Sequence, residues 1–160
     1  MAYTYLLYHI VIRPKNSRPV FLEEHEKLLY AYIWGICKEK NCFLHRINGM
    51  PDHIHILVEV HPSIAISDFV RELKISTNSW LKQHKTEFPA FEGWGKTYCV
   101  LSYSQREKDM IKHYIVNQKE HHKEITFRDE LESLMKEFGI QPDKWMACVL
   151  CASVRDTYTG

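Results

Sequence analysis

His53-Ile54-His55 lies within the run Met50-Pro51-Asp52-His53-Ile54-His55-Ile56-Leu57-Val58-Glu59-Val60, whose alternation marks an extended strand. Successive side chains of a strand point to opposite faces. Ile54, Ile56, Val58 and Val60 therefore share one face, and His53, His55, Leu57 and Glu59 the other. Two imidazoles on one face can approach a single ion without a loop folding around it; equally, they can be two surface histidines. A second group follows about sixty residues on. Met110, Tyr114, Gln118 and His121 recur at helical spacing and lie along one side of a helix. Tyr114 could be a core aromatic continuing from Met110 and Ile111. Gln118 argues otherwise, because an amide in a buried stripe needs hydrogen-bond partners or a metal ion. Two histidines, an amide oxygen and a phenol are the parts of metal-assisted phosphoryl transfer, in which an ion polarises a phosphate oxygen and a phenolate attacks in line.

These residues need a frame. Tyr5 to Ile12 is apolar on both faces, as in a central strand, and Pro14, Asn16, Ser17 and Pro19 then mark a turn. From Phe21 to Lys40, Leu22, Leu29, Ile33 and Ile36 predict an amphipathic helix. Cys42 to Ile47 reads as a second strand, Asn48-Gly49 as a hairpin turn, and the histidine strand follows. Ser67 is a candidate N-cap for a helix to Lys85 with Phe69, Val70, Leu73, Thr77, Trp80 and Leu81 on its buried stripe. Phe88 to Lys96 reads as a loop and Tyr98 to Tyr103 as a fourth strand. Helices are predicted over Glu107–Glu124 and Phe127–Phe138, the last ended by Gly139. Strand, helix, strand, strand, helix, strand is the order of the α+β ferredoxin-like fold shared with RNA-recognition domains: a four-stranded antiparallel sheet with two helices on one face. His53 and His55 then face the uncovered side, which the tyrosine helix must cross or cap.

Composition narrows the partners. A chain of 160 residues, 45% hydrophobic and 26% charged, fits one domain with a real core. Twenty-one Lys and Arg against twenty Asp and Glu leave a net charge of +1, so any basic surface must be local. The candidate is a ridge of Arg71, Lys74, Asn78, Lys82 and Lys85 on the second helix. Five cysteines (Cys37, Cys42, Cys99, Cys148 and Cys151) are odd in number and widely spread, which favours reduced thiols and a cytoplasmic setting. Cys148 and Cys151 have C-x-x-C spacing without a second pair, and read as incidental. The Tyr3–Ile12 run is too short to span a membrane.

Met50-Pro51-Asp52-His53-Ile54-His55-Ile56-Leu57, followed by Ile111-Lys112-His113-Tyr114-Ile115-Val116-Asn117-Gln118-Lys119-Glu120-His121-His122, closely resembles the single-tyrosine HUH transposases of small bacterial insertion sequences and their repeat-associated relatives. The likeness runs from about Tyr5 to Gly139 and includes Ile10-Val11-Ile12-Arg13 and Ser67-Asp68-Phe69-Val70-Arg71-Glu72-Leu73-Lys74. It implies a catalytic domain over 1–139 and a tail, 140–160, of no assigned role. It implies metal ligation by His53, His55 and Gln118, and cleavage of single-stranded DNA by Tyr114 through a 5′-phosphotyrosine link that leaves a free 3′-OH. That link conserves the phosphodiester energy, so no nucleotide cofactor is expected, and the chain has no P-loop. Family members recognise hairpins at element ends, and many are homodimers.

Mixed imidazole and oxygen ligation suits manganese at least as well as magnesium. His121 and His122 are expected as proton carriers, phosphate contacts or solvated helix-end residues, with solvation favoured for His122. Asp52 could orient a ligand from behind or serve the turn. Arg13, Lys15, Arg71, Lys74, Lys82 and Lys85, with Arg18 and Arg46, are the candidate phosphate contacts, and Phe91, Trp94, Tyr98 and Tyr103 are available to stack on bases, though mostly as core. The rival readings are a non-catalytic single-stranded nucleic-acid-binding module, a zinc hydrolase with a further His, Asp or Glu ligand, and a domesticated strand transferase.

Overall fold

In the computed structural model, which describes residues 2–140, four strands form one antiparallel sheet: β1 (Leu7–Ile12), β2 (Phe43–Met50), β3 (His53–Glu59) and β4 (Cys99–Tyr103), in the order β2-β3-β1-β4. Strand β1 is largely buried on both faces, as its apolar sequence predicts; the histidine face of β3, expected on the uncovered side, is buried as well, and β1 meets β3 in the register His9↔Leu57 and Val11↔His55. Helices α1 (Glu26–Glu39) and α2 (Ile66–Gln83) cover one face, where Ile10, Ile12, Ile54, Ile56 and Val58 pack with Leu29, Ile33, Phe69 and Leu73. Each such side chain contributes about 1.5–3 kcal/mol relative to exposure. This is the expected ferredoxin-like architecture. The other face is covered too: Leu7, Leu57, Leu101 and Tyr103 pack against Ile111 and Ile115 of α3 (Lys108–Val116) and Leu134 of α5 (Phe127–Glu137). Between them lies a single turn, α4 (Gln118–His121).

Four local expectations are corrected. The hairpin turns at Pro51-Asp52, and Asn48-Gly49 lies within β2. Gly49 is needed there for space, since a Cβ would sit 2.4 Å from the His53 carbonyl oxygen. The helix predicted over 107–124 breaks at Asn117 into α3 and α4. Its cause is Asn48, whose amide donates to the carbonyls of Ile115 (3.0 Å) and Val116 (3.1 Å), oxygens that an unbroken helix would give to the N–H groups four residues on. The first helix begins at Glu26, leaving Leu22 exposed, and α2 is capped by extended Ala65, not Ser67. Gly139 ends α5 as predicted: its φ is 65°, and the next amide, of Ile140, returns to the Met135 carbonyl. Cys148 and Cys151 lie outside the described residues. Among the described residues no helix is long and apolar enough to cross a membrane.

Candidate active site

The face of β3 carrying His53 and His55 is the one packed beneath α3, α4 and α5, and both imidazoles are fully buried. Two more groups join them. His122 follows α4 directly and Glu130 lies on α5, and one donor atom from each of His53, His55, His122 and Glu130 falls within 4.8 Å of the others. The expectation that His122 is a solvated helix-end residue is therefore corrected, since its side chain is 5% exposed. The imidazoles share one orientation, with Nδ1 tied outward. His53 Nδ1 meets Asp52 Oδ1 at 2.7 Å, His122 Nδ1 meets the Ile125 carbonyl at 3.1 Å, and His55 Nδ1 meets His9 Nε2 at 2.6 Å.

Asp52 and the Ile125 carbonyl can only accept, so His53 and His122 must donate through Nδ1 and, when neutral, turn bare Nε2 lone pairs inward. Those two nitrogens face each other across 3.1 Å. Two lone pairs at that distance repel unless a cation or proton lies between them. Bonds of about 2.0–2.1 Å from one ion, at roughly right angles, would place two nitrogens about 3 Å apart. His55 Nε2, Gln118 Oε1 and Glu130 Oε2 are buried there without a hydrogen-bond partner. The donor set therefore fits a divalent metal.

Tyr114 and Gln118 reach the same point from the tyrosine helix. The Tyr114 hydroxyl donates to Glu130 Oε1, and Gln118 Nε2 donates to the same oxygen at 3.0 Å. Met110, expected on their side, is exposed, while Ile111 and Ile115 carry the packing. His121 lies beside the phenol, ring centroids 5.3 Å apart. Burial, the hydrogen bond to Glu130 and its negative charge all push the Tyr114 phenol above its ordinary range. Burial would raise the Glu130 carboxyl, but the imidazoles of His122, His53 and His55 crowded against it outweigh that and hold the group ionised. Burial likewise opposes charge on His53, yet Asp52 and Glu130 together raise its pKa. His55 is lowered to about 4, chiefly by burial. The region is thus a buried carboxylate ringed by imidazoles, with a protonated phenol against it.

Two members escape the sequence reading, His9 and Glu130, while a third, His122, is named there but favoured as a solvated residue. His9 is fully buried on β1, lowered well below its usual pKa by burial and then by His55, and its Nδ1 has no partner. Its signal was parity, since it shares the inward face of β1 with Leu7 and Val11. Glu130 was marked by falling within the stripe of Phe127, Leu131 and Leu134, where a carboxylate has no place unless paired.

The basic residues divide. Arg71 and Lys82 are exposed on α2, across the sheet from the tyrosine; the helix expected to reach Lys85 ends at Gln83, and Lys85 is exposed in the turn that follows. Arg71 pairs with Asp68 at 2.9 Å. Lys74 departs from the expected solvated ridge: it donates to the carbonyls of Gly95 (2.8 Å) and Thr97 (3.1 Å), and burial lowers its pKa to about 8. Lys15 is exposed just beyond β1. Arg13 sits on the site's own side, its guanidinium 5.9 Å from the ring centre of Phe127, which in turn lies 4.4 Å from the His53 ring. Phe91, Trp94 and Tyr103 are packed in the core, and Tyr98 is 40% exposed.

Comparison with known proteins places these elements in context. Residues 2–118 match the family model described as "Transposase IS200 like". The chain is 30% identical over 122 residues to the ISDra2 transposase TnpA of Deinococcus radiodurans, covering 73% of this chain and 87% of the relative. It is 29% identical over 119 residues to the transposase for insertion sequence element IS200 of Salmonella typhimurium, covering 70% and 78%. Its fold is similar, with a TM-score of 0.54 at 15% identity, to a REP-associated tyrosine transposase solved bound to a REP hairpin, over 76% of this chain and 73% of that one.

Proposed function

The chain belongs to the IS200-like transposase family, and from that premise we propose that it cuts and rejoins single-stranded DNA at hairpin-bearing element ends, using Tyr114 as nucleophile. The observation that carries this reading is the convergence of the Tyr114 hydroxyl and three imidazoles on one buried carboxylate, Glu130. His53, His55 and Gln118 would hold a magnesium or manganese ion, with His122 and Glu130 as further donors. The chemistry such an ion supplies when bound is polarisation of a phosphate oxygen.

In the step itself, a bond forms between the Tyr114 oxygen and phosphorus as the bond from phosphorus to the 3′ oxygen breaks. The phenol gives up its proton and the 3′ oxygen gains one, leaving a 5′-phosphotyrosine and a free 3′-OH. Because burial, and after it Glu130, favours the protonated phenol, attack is helped by a nearby positive charge and by loss of the proton during the step. Arg13, on the site's side, and Lys15 beyond it would contact phosphate; Arg71, Lys82 and Lys85 would serve flanking DNA, and Lys74 contributes less because its ammonium is engaged. The hairpin held by the structurally similar REP-associated enzyme supports a hairpin partner here. We read 1–139 as the catalytic domain of a bacterial cytoplasmic protein and retain a homodimer as the assembly to test; a domesticated strand transferase would share this chemistry.

Incubating the full chain with a single-stranded hairpin oligonucleotide and manganese should yield a covalent protein–DNA adduct that resists denaturant. If no adduct forms with magnesium, manganese or zinc, the transferase reading fails in favour of a non-catalytic binder. His122 and Glu130 favour a second reading, since three imidazoles and a carboxylate are a donor set suited to zinc. Hydrolysis without an adduct, restored only by zinc after chelation, would support a zinc hydrolase.

His9 has a separate expected outcome. Through His55 Nδ1 it fixes which nitrogen of that ligand faces the ion, so His9→Phe should weaken manganese binding by about 10–100-fold in a calorimetric titration. Unchanged affinity would remove His9 from the site's support.

A further inference from the structure

Between Tyr114 and Gln118 the helix breaks, and a half-buried polar network is fastened to the break. Asn48 faces His55 across the β2–β3 ladder, so its side chain emerges on the same face of the sheet. Both amide hydrogens are used, one on the Ile115 carbonyl and one on the Val116 carbonyl. The amide oxygen accepts from Lys119 Nζ at 3.2 Å, and the same ammonium meets Glu26 Oε1 on α1 at 2.6 Å. Glu26 is itself buried and takes a further bond from the Tyr30 hydroxyl at 3.3 Å. The amide can adopt only one orientation, because carbonyls need its nitrogen and the ammonium needs its oxygen. Asn48 thus ties the strand beside the paired histidines to the break between the tyrosine and the glutamine, and Lys119 ties both to the first helix.

Resting on the reading of Tyr114 above, we propose that Asn48, Lys119 and Glu26 form a positioning clamp that seats the tyrosine on its own chain's histidine pair. None of the three touches the reacting atoms. The clamp fixes where α3 stops and α4 starts, and hence the spacing and direction of the phenol and the amide four residues apart. It also accounts for an Asn-Gly pair inside a strand: the asparagine holds the helix and the glycine admits the adjoining strand.

The test uses the full-length protein, a hairpin oligonucleotide and manganese, with adduct formation followed at saturating DNA. Asn48→Asp keeps the oxygen that Lys119 needs but loses both donors; Lys119→Met keeps the stem and loses the ammonium. Each should slow the first-order rate of adduct formation by about 10–100-fold, the scale of a misplacement near 1 Å. Half-saturating DNA and manganese affinity should stay within twofold of wild type, and Lys119→Arg should recover most of the rate. Hydrogen exchange across residues 114–121 should rise in the two slow variants and not in Lys119→Arg.

The clamp is overturned if both variants react within twofold of wild type, if rate, DNA affinity and metal affinity fall together, or if Lys119→Arg is as slow as Lys119→Met. Should Asn48→Asp fail to fold, the Lys119 pair decides alone. A wild type that forms no adduct, or a Tyr114→Phe variant that still does, defeats the underlying reading instead; hydrogen exchange then still reports whether the clamp orders the break.

Discussion

Tyr114→Phe should eliminate the covalent protein–DNA adduct, with a loss on the order of 10³-fold or more, and should retain hairpin binding. The substitution removes one oxygen and keeps the ring, so the edge-on contacts of Tyr114 with His9 (6.2 Å) and His55 (6.0 Å) survive. The lost hydroxyl is the donor to Glu130, and a hydrogen bond to a charged group is worth about 1.5–3 kcal/mol, so a modest fall in thermal midpoint is expected alongside. Glu130 keeps Gln118 and the imidazoles, which limits that fall. A nucleophile cannot be replaced by its neighbours, and removing one typically costs far more rate than removing a positioning group. Denaturing gels with end-labelled oligonucleotide, read beside a mobility-shift titration, separate the two effects. An adduct persisting in Tyr114→Phe would move the nucleophile elsewhere, and a parallel loss of hairpin binding would indicate damage to the fold.

Removal of the ion is expected to have the next largest effect. Chelation should stop adduct formation, and manganese or magnesium should restore it. His53→Ala/His55→Ala should abolish manganese binding by calorimetry and lower adduct yield on the order of 10³-fold. The double variant should also be less stable, because it leaves the buried Glu130 carboxylate beside one imidazole instead of three, and breaking such a set costs about 3–5 kcal/mol. Wild type should melt higher with manganese than without it, by about 2.7 kcal/mol of added stability at a hundredfold excess over its dissociation constant. If manganese leaves the melting curve unmoved and the double variant still forms adduct, the histidines are structural and the metal assignment fails.

The parts of this site carried by local pattern were legible. Alternation in β3 put both histidines on one face, and helical spacing put Tyr114 and Gln118 on one side, because both periods are properties of the backbone alone. The strand and helix order similarly led to the four-stranded sheet. Partners that depend on tertiary register were not legible. His9 meets His55 only because β1 and β3 pair as they do, and Glu130 arrives on a helix whose docking no local rule specifies. Asn48-Gly49 misled for the opposite reason: its turn propensity is real, but the demands of a helix end and a close strand crossing override it. His122, expected as a solvated helix-end residue, follows the short α4 after the break at Asn117 and meets His53 at 3.1 Å.

The near-complete enclosure of the carboxylate has a kinetic corollary. His53, His55 and Gln118 expose no surface, and Glu130 on α5 is 2% exposed. Tyr114 is only partly covered, but DNA cannot reach the imidazoles while α3, α4 and α5 lie over them, so the cleavage proposed above requires that cover to open. Every productive encounter then waits on that door, and observed affinity is discounted by the fraction of molecules standing ajar.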